Sequence, residues 1–336
     1  MAYTDIDDPT IYFNTVLYTG NNTDGNSITG VGFQPDWCWF KMRSSTASHA
    51  LVDSVRGRSK TLRTDGNDSE FTSSSGTDFK SFDSDGFTVD NVELFGSYNN
   101  NGVNIVTWNW KKTATAGFDI VSFTGNDTAR TISHSLSAVP NMMILKDRDA
   151  GNDWFIYHSA NTSAPETDYL KLNSAAATAD LNSLWNDTAP TSSVFTIGTN
   201  GNINTTGNDY IAYLFSEKKG YSKFGSYTGN GNADGPFVYT GFRPAWVMVK
   251  TTTDTGYNWT IYDNKRVGFN PDNDTLTANE TRTEQTSGFG HIDIVSNGFK
   301  VRASTNDTNR NANVFIYMAF AESPLVNSNG VPTNAR

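Results

Sequence analysis

Two pairs of charged residues share one spacing, Asp53 with Arg56 and Asp263 with Arg266. An Asp-x-x-Arg pair that faces a cleft offers a carboxylate and a guanidinium to a sugar. At a strand end the same groups close a turn through a charge-assisted hydrogen bond, the commoner use of such forks and the one expected here. Lys41, Lys146 and Lys250 each end an apolar run, where a long cationic side chain ordinarily lays its stem over aromatics and extends its ammonium to water; contact with a partner's carboxylates is the alternative. The four histidines, His49, His134, His158 and His291, share no common position, and the chain contains no His-x-x-x-His pair, Gly-x-Ser-x-Gly elbow or phosphate loop. No catalytic residue, metal-ligand set or cofactor is therefore expected. Paired carboxylates for glycoside cleavage can come from distant strands, so a polysaccharide-degrading enzyme stays as an alternative. Cys38, between Trp37 and Trp39, reads as a small buried hydrophobe.

The elements that carry these residues recur. Pro35, Pro140 and Pro244 lie 105 and 104 residues apart, in GFQPDWCWFK, SAVPNMMILK and GFRPAWVMVK, and the three lysines keep the same offsets. Asp53, His158 and Asp263 follow at matching places, in HALVD, WFIYH and WTIYD; the second copy thus has His158 and Asn161 where the others have Asp and Arg. SDGFTVD, SSVFTIG and SNGFKVR align Phe87, Phe195 and Phe299, and each copy closes on an apolar run, NIVTWNW, DYIAYLF or NVFIYMA. A period this long exceeds that of solenoids and propeller blades, so each copy is expected to be a domain. The division is a lead or docking arm at 1–15, repeats at 16–115, 116–220 and 221–323, and a polar tail at 324–336. The short connections TATAG and KKGYSK suggest three domains in a compact or gently curved row.

Two-residue alternation, long Asn/Asp/Gly/Ser/Thr turns and seven to nine candidate strands per copy indicate an all-β protein, three tandem antiparallel β-sandwiches of jelly-roll type. Only 175–185 reads as weakly helical. Each repeated proline is expected where a loop meets a strand edge, since the missing N–H is harmless there. Trp39, Met143 and Val247 are expected to point into the cores of their own sandwiches.

A net charge of -10 disfavours nucleic acid, whose phosphates need a basic face. Neither a secretory signal nor an apolar run long enough to span a membrane is expected. Sequons such as Asn126-Asp127-Thr128 are read as accidents of an Asn- and Thr-rich composition.

The opening IDDPTIYFNTVLYTGN, the GFQPDWCWFK strand, DSVRG and DSDGFTVD resemble an uncharacterised repeat domain of marine bacteriophage virion proteins, usually attached to tail or fibre genes. The likeness is closest over residues 4 to 112. It implies a virion structural protein, assembled in the bacterial cytoplasm: a tail fibre, tail tip or surface appendage contributing to host adhesion. A capsid decoration protein is the alternative. The implied partners are other virion proteins, further copies of the chain in a homo-oligomer such as a trimer, and a host-surface glycan or protein. The loops expected to make contact are 98–102 and 200–208, with Tyr98, Asn99, Asn100, Asn101, Asn202 and Asn204, because Tyr and Asn offer stacking area and adaptable hydrogen bonds.

Overall fold

In a computed structural model of the chain, the first and last strands of every repeat lie side by side. Phe13–Thr19 pairs antiparallel with Asn104–Trp110, Phe118–Thr124 with Asp209–Phe215, and Ser222–Thr228 with Val314–Pro324. The structure describes residues 4–73, 78–90, 98–266, 270, 274–286 and 290–324. The 325–336 part of the tail lies outside these.

On its other side each closing strand pairs with the strand at the repeated proline, Trp37–Met42, Met142–Asp147 or Phe242–Thr251, and this is followed by Ala50–Asp53, Phe155–His158 or Thr260–Asp263. A smaller sheet covers one face. Its paired strands are Asn26–Thr29 with Gly86–Val89, Arg130–Ser133 with Val194–Ile197, and Phe237–Tyr239 with Gly298–Val301. The protein is an all-β sandwich fold. Pro35 and Pro140 precede their strands, but Pro244 sits inside Phe242–Thr251 at a register shift, an irregularity that tolerates its missing N–H.

The Tyr/Phe-Thr-Gly-Asn signature ends each opening strand where two backbones come close. A Cβ on Gly20, Gly125 or Gly229 would meet the carbonyl oxygen of Asn100, Thr205 or Arg310 at 2.2, 2.1 or 2.3 Å. Within 175–185 only Asn182–Trp185 is helical, and Ala179–Asp180 is extended. Tertiary pairing overrides alanine's preference: the Thr178 amide donates to the Thr252 carbonyl of the third repeat. Short helical turns at Gly201–Asn204 and Asn306–Asn309 were not expected from the sequence. No helix among the described residues is long and apolar enough to cross a membrane.

Each sandwich has its own core, built around Phe40 and Phe87, Leu145 and Phe195, or Val249 and Phe299. The opposite face of every large sheet is also covered, because the three large sheets meet in a common hub. Trp37, Trp39, Trp108 and Trp110 pack there with Met142, Ile144, Tyr213 and Phe215, and with Trp246, Met248, Met318 and Phe320. Strand alternation assigns the faces: Cys38, Met143 and Val247 look into their own sandwiches, while Trp39, two residues beyond Trp37, looks into the hub. The expectation for Trp39 is corrected accordingly. The expected row is corrected too, since the third repeat contacts the first as directly as the second does. The lead does not extend as an arm. Ile6 is 3% exposed in the hub, the Asp5 amide donates to the Lys219 carbonyl, and Phe13 already belongs to the first strand.

Candidate functional site

The residues with the most chemistry lie where one repeat meets the next. Asp53 Oδ1 accepts from the amides of Val55 and Arg56 at 3.0 and 2.8 Å, so the carboxylate closes the strand-end turn. Its Oδ2 accepts from Arg56 Nε at 2.5 Å and from Tyr213 Oη of the second repeat at 2.7 Å. Arg56 Nη1 reaches Glu70 at 3.1 Å, and Arg148 of the second repeat grips Glu70 through Nε and Nη2 at 2.9 and 3.0 Å. Burial would raise the Glu70 carboxyl, but Arg148 and Arg56 hold it below the ordinary range.

The junction of the third repeat with the first is built the same way. Asp263 Oδ2 accepts from Arg266 Nε at 2.6 Å and from Trp108 Nε1 at 3.0 Å; Glu284 then takes Arg266 Nη1 at 2.9 Å and Arg43 Nη2 at 2.7 Å. The side chains of Asp53, Arg56, Asp263 and Arg266 are all 0% exposed. Shut away from solvent, these pairs do not line a sugar site.

At the junction of the second repeat with the third, the partner explains the departure from Asp. Strand register puts Met318 where the others have Trp108 or Tyr213. A thioether donates no hydrogen bond, so an aspartate would face no donor. His158 supplies the donor itself. Its Nδ1 accepts from the Ala160 amide at 3.1 Å, which leaves the proton on Nε2 to bond the Tyr317 carbonyl at 3.1 Å. Asn161 and Thr178, 2.6 Å apart through Oδ1 and Oγ1, replace the Arg–Glu pair. Two junctions are ionic and one is neutral, each internally consistent.

Indole donors reinforce the cycle. Trp154 Nε1 donates to the Arg63 carbonyl at 2.7 Å and Trp259 Nε1 to the Lys171 carbonyl at 2.8 Å, each reaching the preceding repeat. At the same place His49 Nδ1 accepts from Trp39 Nε1 at 2.8 Å, and its Nε2–H donates to the Thr277 carbonyl at 2.9 Å.

The lysines correct the expectation of solvated ammoniums. All three are 0% exposed. Lys41 Nζ donates to the carbonyls of Met42, Ala47 and Thr281 at 3.1, 3.0 and 3.2 Å; Lys146 Nζ reaches four carbonyls, among them Asn67 of the first repeat at 3.2 Å. Lys250 Nζ bonds the Thr251 carbonyl at 2.9 Å. Burial lowers each to about 8, and the ammonium stays protonated at pH 7. Alternation explains the placement: Lys41 is on the hub face with Trp37 and Trp39, so its stem runs inward and carbonyls stand in for water.

A further correction concerns the expected contact loops. Tyr98, Asn99 and Asn204 are 0% exposed, Asn100 and Asn202 are half-buried, and Asn101 is exposed. Asn99, Asn204 and Asn309 are matching pins between loops. Each Oδ1 accepts from the amide of Asn21, Asn126 or Asn230 at 3.0, 3.0 and 2.8 Å, while each Nδ2 donates to carbonyls on the facing loop. Cys38 is buried. Among the described residues no group of three or more His, Cys, Asp or Glu is placed to hold a metal ion.

The buried imidazoles make acid stability testable. Burial lowers His158 to about 4, and burial followed by the Lys41 charge lowers His49 well below its usual value. The unfolded chain then binds protons from about pH 6.5 downward that the native chain refuses. Both groups have depressed folded values, so their contribution is present above the unfolded value of about 6.5 and is lost as pH falls below it, for His158 through about 4. For His158 the loss is roughly 3 kcal/mol at most. Urea midpoints measured from pH 7 to pH 4 are expected to fall, and His158→Gln, which keeps a donor, to flatten part of that fall; identical profiles for the two proteins would refute the assignment.

No curated protein matches the chain. Residues 8–324, from the lead through the last strand of the third repeat, match the family described as Domain of unknown function (DUF7483), and with that span covered the chain belongs to this family.

Proposed function

We propose that the chain is a bacteriophage virion protein that works by contact, a tail or surface appendage contributing to host adhesion. The observation that carries this reading is how the repeated residues are used. Lys41, Lys146 and both Asp–Arg pairs are consumed in joining one sandwich to the next, and Lys250 and the three asparagine pins in fixing backbone within their own repeats. The exposed large side chains differ among the repeats as well: Leu17 and Val55 in the first, Val139 in the second, Phe237 and Tyr239 in the third. A rigid body presenting three non-identical faces suits recognition, and copies of it in an oligomer raise effective concentration when several faces engage together. The resemblance of residues 4 to 112 to phage virion repeats points the same way.

Intact virions labelled with a gold-conjugated antibody to the chain test the reading. Label at the tail or on a surface appendage is expected. Label over the capsid shell would favour the decoration alternative, and particles without label would overturn a virion role.

A further inference from the structure

The repeats share one strand position but treat it differently. The second residue of each opening strand is Asn14, Asp119 or a lysine, Lys223, facing Asn109, Leu214 and Ala319 on the closing strand. Beside it ends the first strand of the small sheet, at Thr29, Ser133 or Tyr239. In the first repeat Asn14 Nδ2 bridges the gap to the carbonyls of Gly30 and Val31 at 3.4 and 3.2 Å. In the second, Asp119 Oδ2 crosses it to the Ser135 amide and hydroxyl, both at 2.7 Å. In the third, Lys223 turns instead to Glu217, 2.7 Å away in the connection between repeats. In the third repeat the gap is a cleft of about 160 Å³, walled by Tyr239, Glu217, Lys219 and Lys223, with Gly220 and Gly241 also lining it; the second repeat has a depression at the matching place, lined by Lys112, Asp119 and Ser135, with Ser133 where the third repeat has Tyr239.

We propose that this cleft binds a pyranose ring of a surface glycan. Tyr239 is 53% exposed, and Phe237, two residues away on the same face of the strand, is 47% exposed. Aromatic rings left in water beside a polar cleft match the two-sided character of a sugar, whose C–H face stacks on a ring while its hydroxyls need donors and acceptors around the edge. Glu217 accepts, Lys223 and Lys219 donate, and the Tyr239 hydroxyl does either. Glycines at the cleft leave backbone in place of side-chain bulk. This inference rests on the adhesion reading for its biological setting, though not for its chemistry.

Saturation-transfer NMR on the full chain, with methyl glucopyranoside, methyl galactopyranoside, methyl mannopyranoside and methyl glucuronoside as probes, tests it. Transfer from at least one probe is expected, with millimolar affinity. Tyr239→Ala is expected to weaken it tenfold or more and Tyr239→Phe less than threefold; at an exposed site neither should shift the thermal midpoint. Absence of transfer from all four probes, or equal transfer to wild type and Tyr239→Ala, overturns the proposal. Host-cell binding separates the two readings: sugar binding without cell binding leaves the cleft standing and removes adhesion. Cell binding that Tyr239→Ala leaves unchanged, in a chain showing no transfer, removes the cleft and keeps adhesion.

Discussion

Trp37→Ala is expected to destabilise the whole chain by about 3–5 kcal/mol, the cost of emptying a tryptophan site in a packed core. Trp37 is 1% exposed, stacks on Tyr213 of the second repeat at 4.6 Å with 21° between planes, and lies 4.6 Å from Trp110 and 5.7 Å from Phe118. Its loss therefore opens a void between repeats and not inside one. Urea unfolding followed by hydrogen exchange is expected to show amides of all three repeats losing protection together. Protection lost only in residues 16–115 would mean that the first repeat stands alone.

Asp53→Ala is expected to cost a comparable amount, about 3–5 kcal/mol, because removing one member of a buried ion pair leaves the other poorly compensated, with Glu70 as the one carboxylate still bonded to Arg56 among the described residues. Here Arg56 loses its Nε partner, two turn amides lose their acceptor, and Tyr213 loses its link across the junction. Burial and the neighbouring Asp53 both push the Tyr213 phenol well above its ordinary range, so it remains a donor at neutral pH. Tyr213→Phe alone removes one hydrogen bond to a charged group, about 1.5–3 kcal/mol. In a double-mutant cycle the two changes are expected to be less than additive, by about 1 kcal/mol or more for groups in direct contact. Additive effects would show that the bond across the junction contributes nothing.

The sequence made the period, the succession of landmarks along each repeat and the all-β sandwich class legible, because prolines, lysines and turn glycines mark backbone positions that tolerate few substitutes. The hub was hidden by a pattern read too simply. In a sandwich with one solvated face the large-sheet strands alternate apolar and polar, yet WCWFKM and MMILKD are continuous, and all six positions of each are buried. A run of that kind signals a strand covered on both sides. Lys41 and Lys146 hid the signal, since a lysine ordinarily marks solvent. His158 was unreadable for another reason: its identity answers Met318, about 160 residues away, and only the strand register brings the two together. The cleft at Tyr239 was unreadable because only the strand pairing shows that this exposed tyrosine stands where the other repeats end a strand on Thr29 or Ser133.

That three repeats are closed around one hub, and so act as one rigid body, is tested most directly by scanning calorimetry of the full chain. A single endotherm is predicted, with calorimetric and van't Hoff enthalpies equal, as for one cooperative unit. Separate transitions, or a calorimetric enthalpy about three times the van't Hoff value, would show three independent domains and contradict the account.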